Sequence, residues 1–165
     1  MRWRGAMNGG SDSMNLVVAL PLAIALTLRT PVAQAVAFGY ITLQTTLSYF
    51  VAGCVKIREA EWRSGSALPI FLCTPQYGAP VWLQHTLQAS PALSRGASWG
   101  VMLFELSFPL AFTAPPFTLA FLVGAFCFHL INAYILGLNR FVFAWVSAYP
   151  AVLFVSQLIH YRLQL

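Results

Sequence analysis

The clearest pattern in the chain is an apolar run of membrane length with a polar line along one side. Between Val32 and Lys56, at about 100° per residue, Gln34, Thr42, Thr45, Tyr49 and Lys56 fall within about 40° of one line. Val36, Leu43, Leu47, Phe50 and Cys54 lie opposite. Lipid does not select such a stripe, so the pattern predicts a helix over residues 32–57 with its polar side against protein or a wet cavity. The stripe has two readings: interhelical hydrogen bonding by threonine and glutamine, and a polar channel leading to Lys56. A lysine closing a membrane helix also has a plain role as an anchor, with its ammonium at the lipid interface and at the negative end of the helix dipole. The stripe places Lys56 on the interior side under both readings, which weakens pure anchoring.

The same reading extends along the rest of the chain. Residues 1–12 form a basic lead at the membrane surface. Residues 13–28 are apolar but short for a span, with Pro21 expected to kink them and Asp12 or Ser13 expected to cap the helix start. Arg2 and Arg4 ahead of residues 16–28, with Ala33-Gln34-Ala35 beyond, also resemble a secretory signal. The polar insert at 8–12, and Arg29 and Pro31 before the cut, favour an uncleaved first membrane segment. After the second segment, Arg58, Glu59, Glu61 and Arg63 are expected to pair among themselves, with Trp62 as an interface anchor. Residues 66–73 are a brief apolar stretch and 74–80 a turn-rich link. Residues 81–88, with Trp82 and His85, suggest a helix lying in the interface. Ser90-Pro91 starts another short helix, ending near Arg95.

Residues 97–112 read as the next span, carrying Glu105, with Pro109 expected to open the helix nearby. An acid at this depth is a functional-site signal; its bland alternatives are a structural pair with an arginine and a protonated carboxyl. Residues 117–138 form a full span in which His129 and Asn132 share a face at i and i+3. The last segment starts at Arg140 and has its body at 141–155, with a break at Tyr149-Pro150 and a polar tail of His160, Tyr161 and Arg162.

Composition turns these segments into a class. The chain is 59% hydrophobic and 8% charged, against about 25% charged in soluble domains. With 165 residues and ~20 per span, about four or five spans fit. The expected fold is therefore all-α: one polytopic helical membrane bundle with short interfacial helices, in the cell membrane if the host is bacterial. The net charge of +5 is scattered over segment ends without a basic stripe, so anionic headgroups rather than nucleic acid are its counterpart. Cys54, Cys73 and Cys127 are far apart and in apolar settings, and are expected to be buried free thiols rather than metal ligands. Phosphate-loop, nucleophile-elbow, zinc-protease and dinucleotide motifs are absent from the sequence.

Three pieces stand in a telling order: Tyr49-Phe50-Val51-Ala52-Gly53 followed by Lys56, Trp62 and Gly65; Glu105 with Phe108-Pro109; and Phe128-His129-Leu130 leading to Gly137 and Phe141. In them the chain resembles the HTTM family, the membrane domain related to vitamin K-dependent gamma-carboxylase, from about residues 9–12 to 149–150. The resemblance implies that Lys56 is a base acting on a reduced quinone such as vitamin K hydroquinone, whose oxidation drives proton abstraction from a substrate. That role needs a neutral amine. His129 and Glu105 are expected beside it, with Tyr49, Thr45, Trp62 and Asn132 as the ring-binding residues. The carboxylase's large extramembrane domain is not expected in this chain, so the shared fold does not by itself imply glutamate carboxylation. A second reading is a non-catalytic membrane scaffold that helps a partner protein mature or leave the cell. A third is a shortened piece of such a domain, active only beside other helices. The partners these readings call for are the lipid bilayer, a lipid quinone and a membrane protein.

Overall fold

The computed structural model describes residues 9–74 and 79–163, and for Arg162 and Leu163 the backbone alone. All regular structure among them is helical. Two long helices come first, α1 (Gly10–Leu28) and α2 (Pro31–Arg58). Three short helices follow: α3 (Ala60–Ser64), α4 (Ala67–Leu72) and α5 (Val81–Ala89). Then come α6 (Pro91–Ser107), which runs into a 3-10 turn (Phe108–Phe112), α7 (Pro115–Leu136), α8 (Asn139–Val146) and α9 (Tyr149–Leu163). Among the described residues four stretches are long and apolar enough to cross a membrane: α1, α2, α7, and Asn139–Tyr161, which joins α8 to most of α9. The protein is a multi-pass integral membrane protein. The α6 helix with its 3-10 extension covers about 35 Å at ~1.5 and ~2 Å per residue, also enough for a hydrocarbon core of about 30 Å.

Several boundaries differ from the sequence expectation for local reasons. Helix α1 starts at Gly10, so Asp12 and Ser13 lie inside its first turn and neither caps it; the Ser13 N–H donates to the Gly9 carbonyl at 3.2 Å. Asp12 instead faces Arg140 at the start of α8, 3.5 Å away. Residues 1–8 of the expected surface lead lie outside the described residues, and 10–12 belong to the helix. With 19 residues α1 is about 28 Å long and not short for a span, and Pro21 sits within it. Helix α2 starts as proline and threonine dictate: Thr30 accepts from the Ala33 N–H at 3.1 Å and Pro31 takes the first turn, where its missing N–H costs nothing.

At the far end of α2 the expected pairing among Arg58, Glu59, Glu61 and Arg63 is absent. Arg63 donates to the carbonyls of Ile57 (2.8 Å) and Arg58 (2.6 Å), which have no partner within the helix. Helix α3 ends on Gly65 in the left-handed region, with φ 88°. The short helix expected to stop near Arg95 instead continues through Gly96 as α6, which Ser90 caps by accepting from Leu93. Most of the turn-rich link, residues 75–78, lies outside the described residues. Helix α7 stops at Leu136, two residues early, because Gly137 (φ 68°) turns the chain. The break expected at Tyr149-Pro150 falls at Ser147-Ala148; Tyr149 opens α9 and Pro150 sits in its first turn, where proline is tolerated. The cysteines are free but not buried: Cys127 is exposed, and Cys54 and Cys73 are half-buried. His85 is exposed on α5.

The core is built by α1, α2, the 3-10 turn and α7–α9 around Ile41, Tyr49, Phe108, Ala125, Ala144 and Val152. Helix α6 runs antiparallel to α2. Trp99 donates its indole N–H to the Arg63 carbonyl at 3.2 Å, Glu105 meets Lys56, and Phe108 stacks on Tyr49. On the other side Thr118 of α7 donates to the Ala111 carbonyl of the 3-10 turn at 2.6 Å and so accepts from Ser156 of α9, also at 2.6 Å.

Gly65 is the tightest joint. A Cβ there would stand 2.5 Å from the Arg95 Cα, and Ser94 donates its hydroxyl to the Gly65 carbonyl. Gly65→Ala is expected to cost about 2–4 kcal/mol, from left-handed strain plus collision with α6 backbone. Gly96→Ala, at an open position, should change stability by only about 0.5 kcal/mol. Unfolding in detergent followed by circular dichroism checks both; equal effects would contradict the close α3–α6 approach.

Candidate functional site

The site grows from one close helix contact. A Cβ on Gly53 would lie 2.9 Å from the Leu106 nitrogen and 3.1 Å from the Glu105 Cβ, so only glycine lets α2 and α6 meet there. Three residues on, Lys56 reaches across that contact. Its Nζ donates to both carboxylate oxygens of Glu105, at 2.7 and 2.8 Å. Glu105 is 3% exposed, and the Lys56 side chain retains 22% exposure. Glu105 thus pairs with Lys56, beside which it was expected, and not with an arginine, the bland alternative. The ring of Trp62, on α3, stands 5.3 Å from the Lys56 nitrogen and covers it as a cation–π partner. Lys56 therefore points into the bundle, between an acid and an indole.

One and two turns earlier on α2 the same face carries Ala52, Tyr49 and Ser48. The Tyr49 hydroxyl shares a 2.6 Å hydrogen bond with Nε2 of His129 on α7, and both residues are 3% exposed. Tyr49 is held flat against Phe108, at 4.2 Å between centroids and 15° between planes. That stack exists because the chain tightens from α-helix to 3-10 turn after Ser107. The sequence placed an opening of the helix near Pro109, and the change of winding there turns Phe108 onto Tyr49.

These residues enclose a cleft of about 230 Å³. Lys56, Glu105, Tyr49, Ser48 and Ala52 line it from α2 and α6, and Phe128, His129 and Asn132 from α7. Leu138, Phe141 and Trp145 complete it at the α7–α8 joint. Phe141 and Trp145 stack nearly parallel, at 12° and 5.1 Å, and the Trp145 ring lies 4.9 Å from that of His129. Nδ1 of His129 and Nε1 of Trp145 are buried without a hydrogen-bond partner among the described residues. Such atoms are uncommon in folded proteins and call for a reason.

The structure thus gathers five of the seven expected site residues: Lys56, Glu105, His129, Tyr49 and Asn132. Trp62 covers Lys56 but does not line the cleft. Thr45 is fully buried, with its hydroxyl turned back onto its own helix at the Ile41 carbonyl (2.7 Å), so it takes no part in the cleft. Neither reading of the threonine stripe holds in full. Thr45 bonds within α2 rather than between helices, the Thr42 hydroxyl has no partner among the described residues, and the cleft begins only at Ser48. Gln34 is exposed, near the start of α2. Sequence reasoning missed Trp145, whose signal was an indole in mid-segment rather than at an interface, and the role of Gly53. Among the described residues no group of His, Cys, Asp and Glu is placed to hold a metal ion.

Compared with known proteins, residues 22–157 match a family model described as the HTTM domain. No curated protein and no solved structure gives a match.

Because the Lys56–Glu105 pair is largely buried, removing one partner leaves a stranded charge. Glu105→Leu and Lys56→Met are each expected to cost about 3 kcal/mol, and the double variant Lys56→Met/Glu105→Leu to recover most of that loss. A double-mutant cycle in detergent measures it; independent, additive losses would contradict the pair.

Proposed function

The chain belongs to the HTTM-domain family, and from that premise we propose that it binds the ring of a quinone-like lipid in the cleft and uses Lys56 to take a proton from it. The single observation that carries this is the bidentate Lys56–Glu105 pair opening onto an aromatic-walled cleft. A cleft of about 230 Å³ is smaller than the ~300–1,000 Å³ of sites for drug-sized ligands, which suits a ring whose tail remains outside. Phe128, Phe141 and Trp145 offer flat faces to such a ring, and Lys56, Asn132 and His129 bring polar groups to its edge. A reduced quinone bound there supplies two electrons and a phenolic proton.

The protein's own contribution follows from the pair. Lys56 acts as a base only as a neutral amine, so its proton must move first, and the carboxylate oxygens at 2.7 and 2.8 Å are placed to receive it. Transfer to Glu105 turns ammonium and carboxylate into amine and acid without creating net charge in the membrane. Trp62 covers one side of the amine, and Tyr49 hydrogen-bonds the His129 ring. In a bacterial host the site would lie within the cell membrane.

The test is oxygen consumption driven by a reduced naphthoquinone in liposomes. Wild-type protein should raise it above empty liposomes, and Lys56→Ala should lower the rate at least about a hundredfold, the smaller end of what a positioned base contributes. Equal rates for the two proteins, or none above empty liposomes, would contradict the enzymatic reading.

A further inference from the structure

Lys56 and Glu105 pair with each other at the cleft. Two other residues that line the cleft, Trp145 and His129, each carry a buried polar atom with no partner among the described residues. Trp145 is 8% exposed and its Nε1–H has no acceptor among the described residues; His129 is 3% exposed and its Nδ1 has no partner there. An indole N–H can only donate, so the group that answers it must be an acceptor. The Trp145 ring packs among aromatic neighbours. Its ring stacks on Phe141 at 12°, lies 4.9 Å from His129, and packs edge-on to Tyr49 at 6.5 Å. Asn132, one turn along α7 from His129, is half-buried at the same cleft.

The two sets of groups therefore differ in kind. The Lys56–Glu105 pair complements an acidic hydroxyl, and the Trp145 N–H complements an oxygen acceptor. Resting on the quinone-like reading above, we propose that Trp145 is the specificity-determining donor for a second ring oxygen, so that the site selects rings oxygenated at two positions over rings with a single hydroxyl. Both unpartnered atoms are shielded from water, so the ligand seats against the Phe141–Trp145 wall with a small side-chain adjustment, as is common on binding. An oxygen arriving there relieves a buried donor; a ring lacking it leaves that donor unsatisfied, and this difference is the source of the discrimination.

The experiment compares the binding of naphthohydroquinone, kept reduced under argon, with that of α-naphthol. Affinities for protein in lipid nanodiscs are corrected by empty nanodiscs, and the readout is their ratio for wild type and for Trp145→Phe. Wild type should prefer the dioxygenated ring by about tenfold or more. Trp145→Phe, which keeps an aromatic wall and removes the N–H, should bring the ratio to about one. A role in shape alone would weaken both ligands together and preserve the ratio, which overturns the proposal, as does loss of all binding in Trp145→Phe. Equal affinities in wild type overturn the Trp145 assignment alone, whereas failure of wild type to bind either ring overturns the quinone-like reading as well.

Discussion

A lysine and a glutamate held together inside a membrane bundle set the terms for everything around them. Each charge alone would be costly at that depth, and the pair is tolerable only because both oxygens of Glu105 meet one nitrogen at hydrogen-bonding distance. That geometry needs α2 and α6 closer than ordinary side chains allow, and Gly53 supplies the gap. A pair of this kind is a weak source of stability, since apolar residues of similar volume would do as well or better. Its position on the rim of a cleft, rather than in a sealed core, is the feature that favours chemistry over scaffolding.

The departures from regular helix lie where the site needs them. After Ser107 the chain winds into the 3-10 turn and brings Phe108 flat against Tyr49, and Tyr49 in turn fixes His129. Gly137 ends α7 just beyond Asn132, and the chain re-enters as α8 so that Phe141 and Trp145 form the remaining wall. The break at Ser147-Ala148 then lets α9 return along α7, tied by Ser156 to Thr118. The long helices α1 and α2 thus give the bundle its scaffold, while the two interrupted segments place the aromatic rings around the cleft.

Much of this was legible in the residues, and the exceptions have physical causes. The stripe on α2 correctly put Thr42, Thr45 and Tyr49 inside, at 4%, 0% and 3% exposure, because periodicity reports which side meets protein. It failed at Gln34, since a helix can extend past its neighbours without any change of pattern. Periodicity also says nothing of what a buried hydroxyl bonds to, so Thr45 was placed in the site while its proton serves its own helix. Glu105 announced itself as an acid among apolar residues, but its partner lies 49 positions away, and only the register of two antiparallel helices reveals it. Gly53 stood in a recognisable motif, yet its function is an absence of side chain at a contact no single helix contains. The helix caps at Asp12 and Ser13 were misplaced by a few residues, where glycine at position 9 took over the turn.

Lys56 is the sole lysine in the sequence, so its side-chain nitrogen can be labelled without ambiguity. Solid-state magnetic resonance of lysine- and glutamate-labelled protein in phospholipid bilayers measures which nuclei lie beside that nitrogen. The account predicts strong dipolar coupling to one glutamate carboxyl carbon at about 3–4 Å, lost in Glu105→Gln, and no coupling to lipid phosphorus. Coupling to phosphorus with none to a carboxyl carbon would place the ammonium among headgroups and contradict the inward-facing pair on which the site is built.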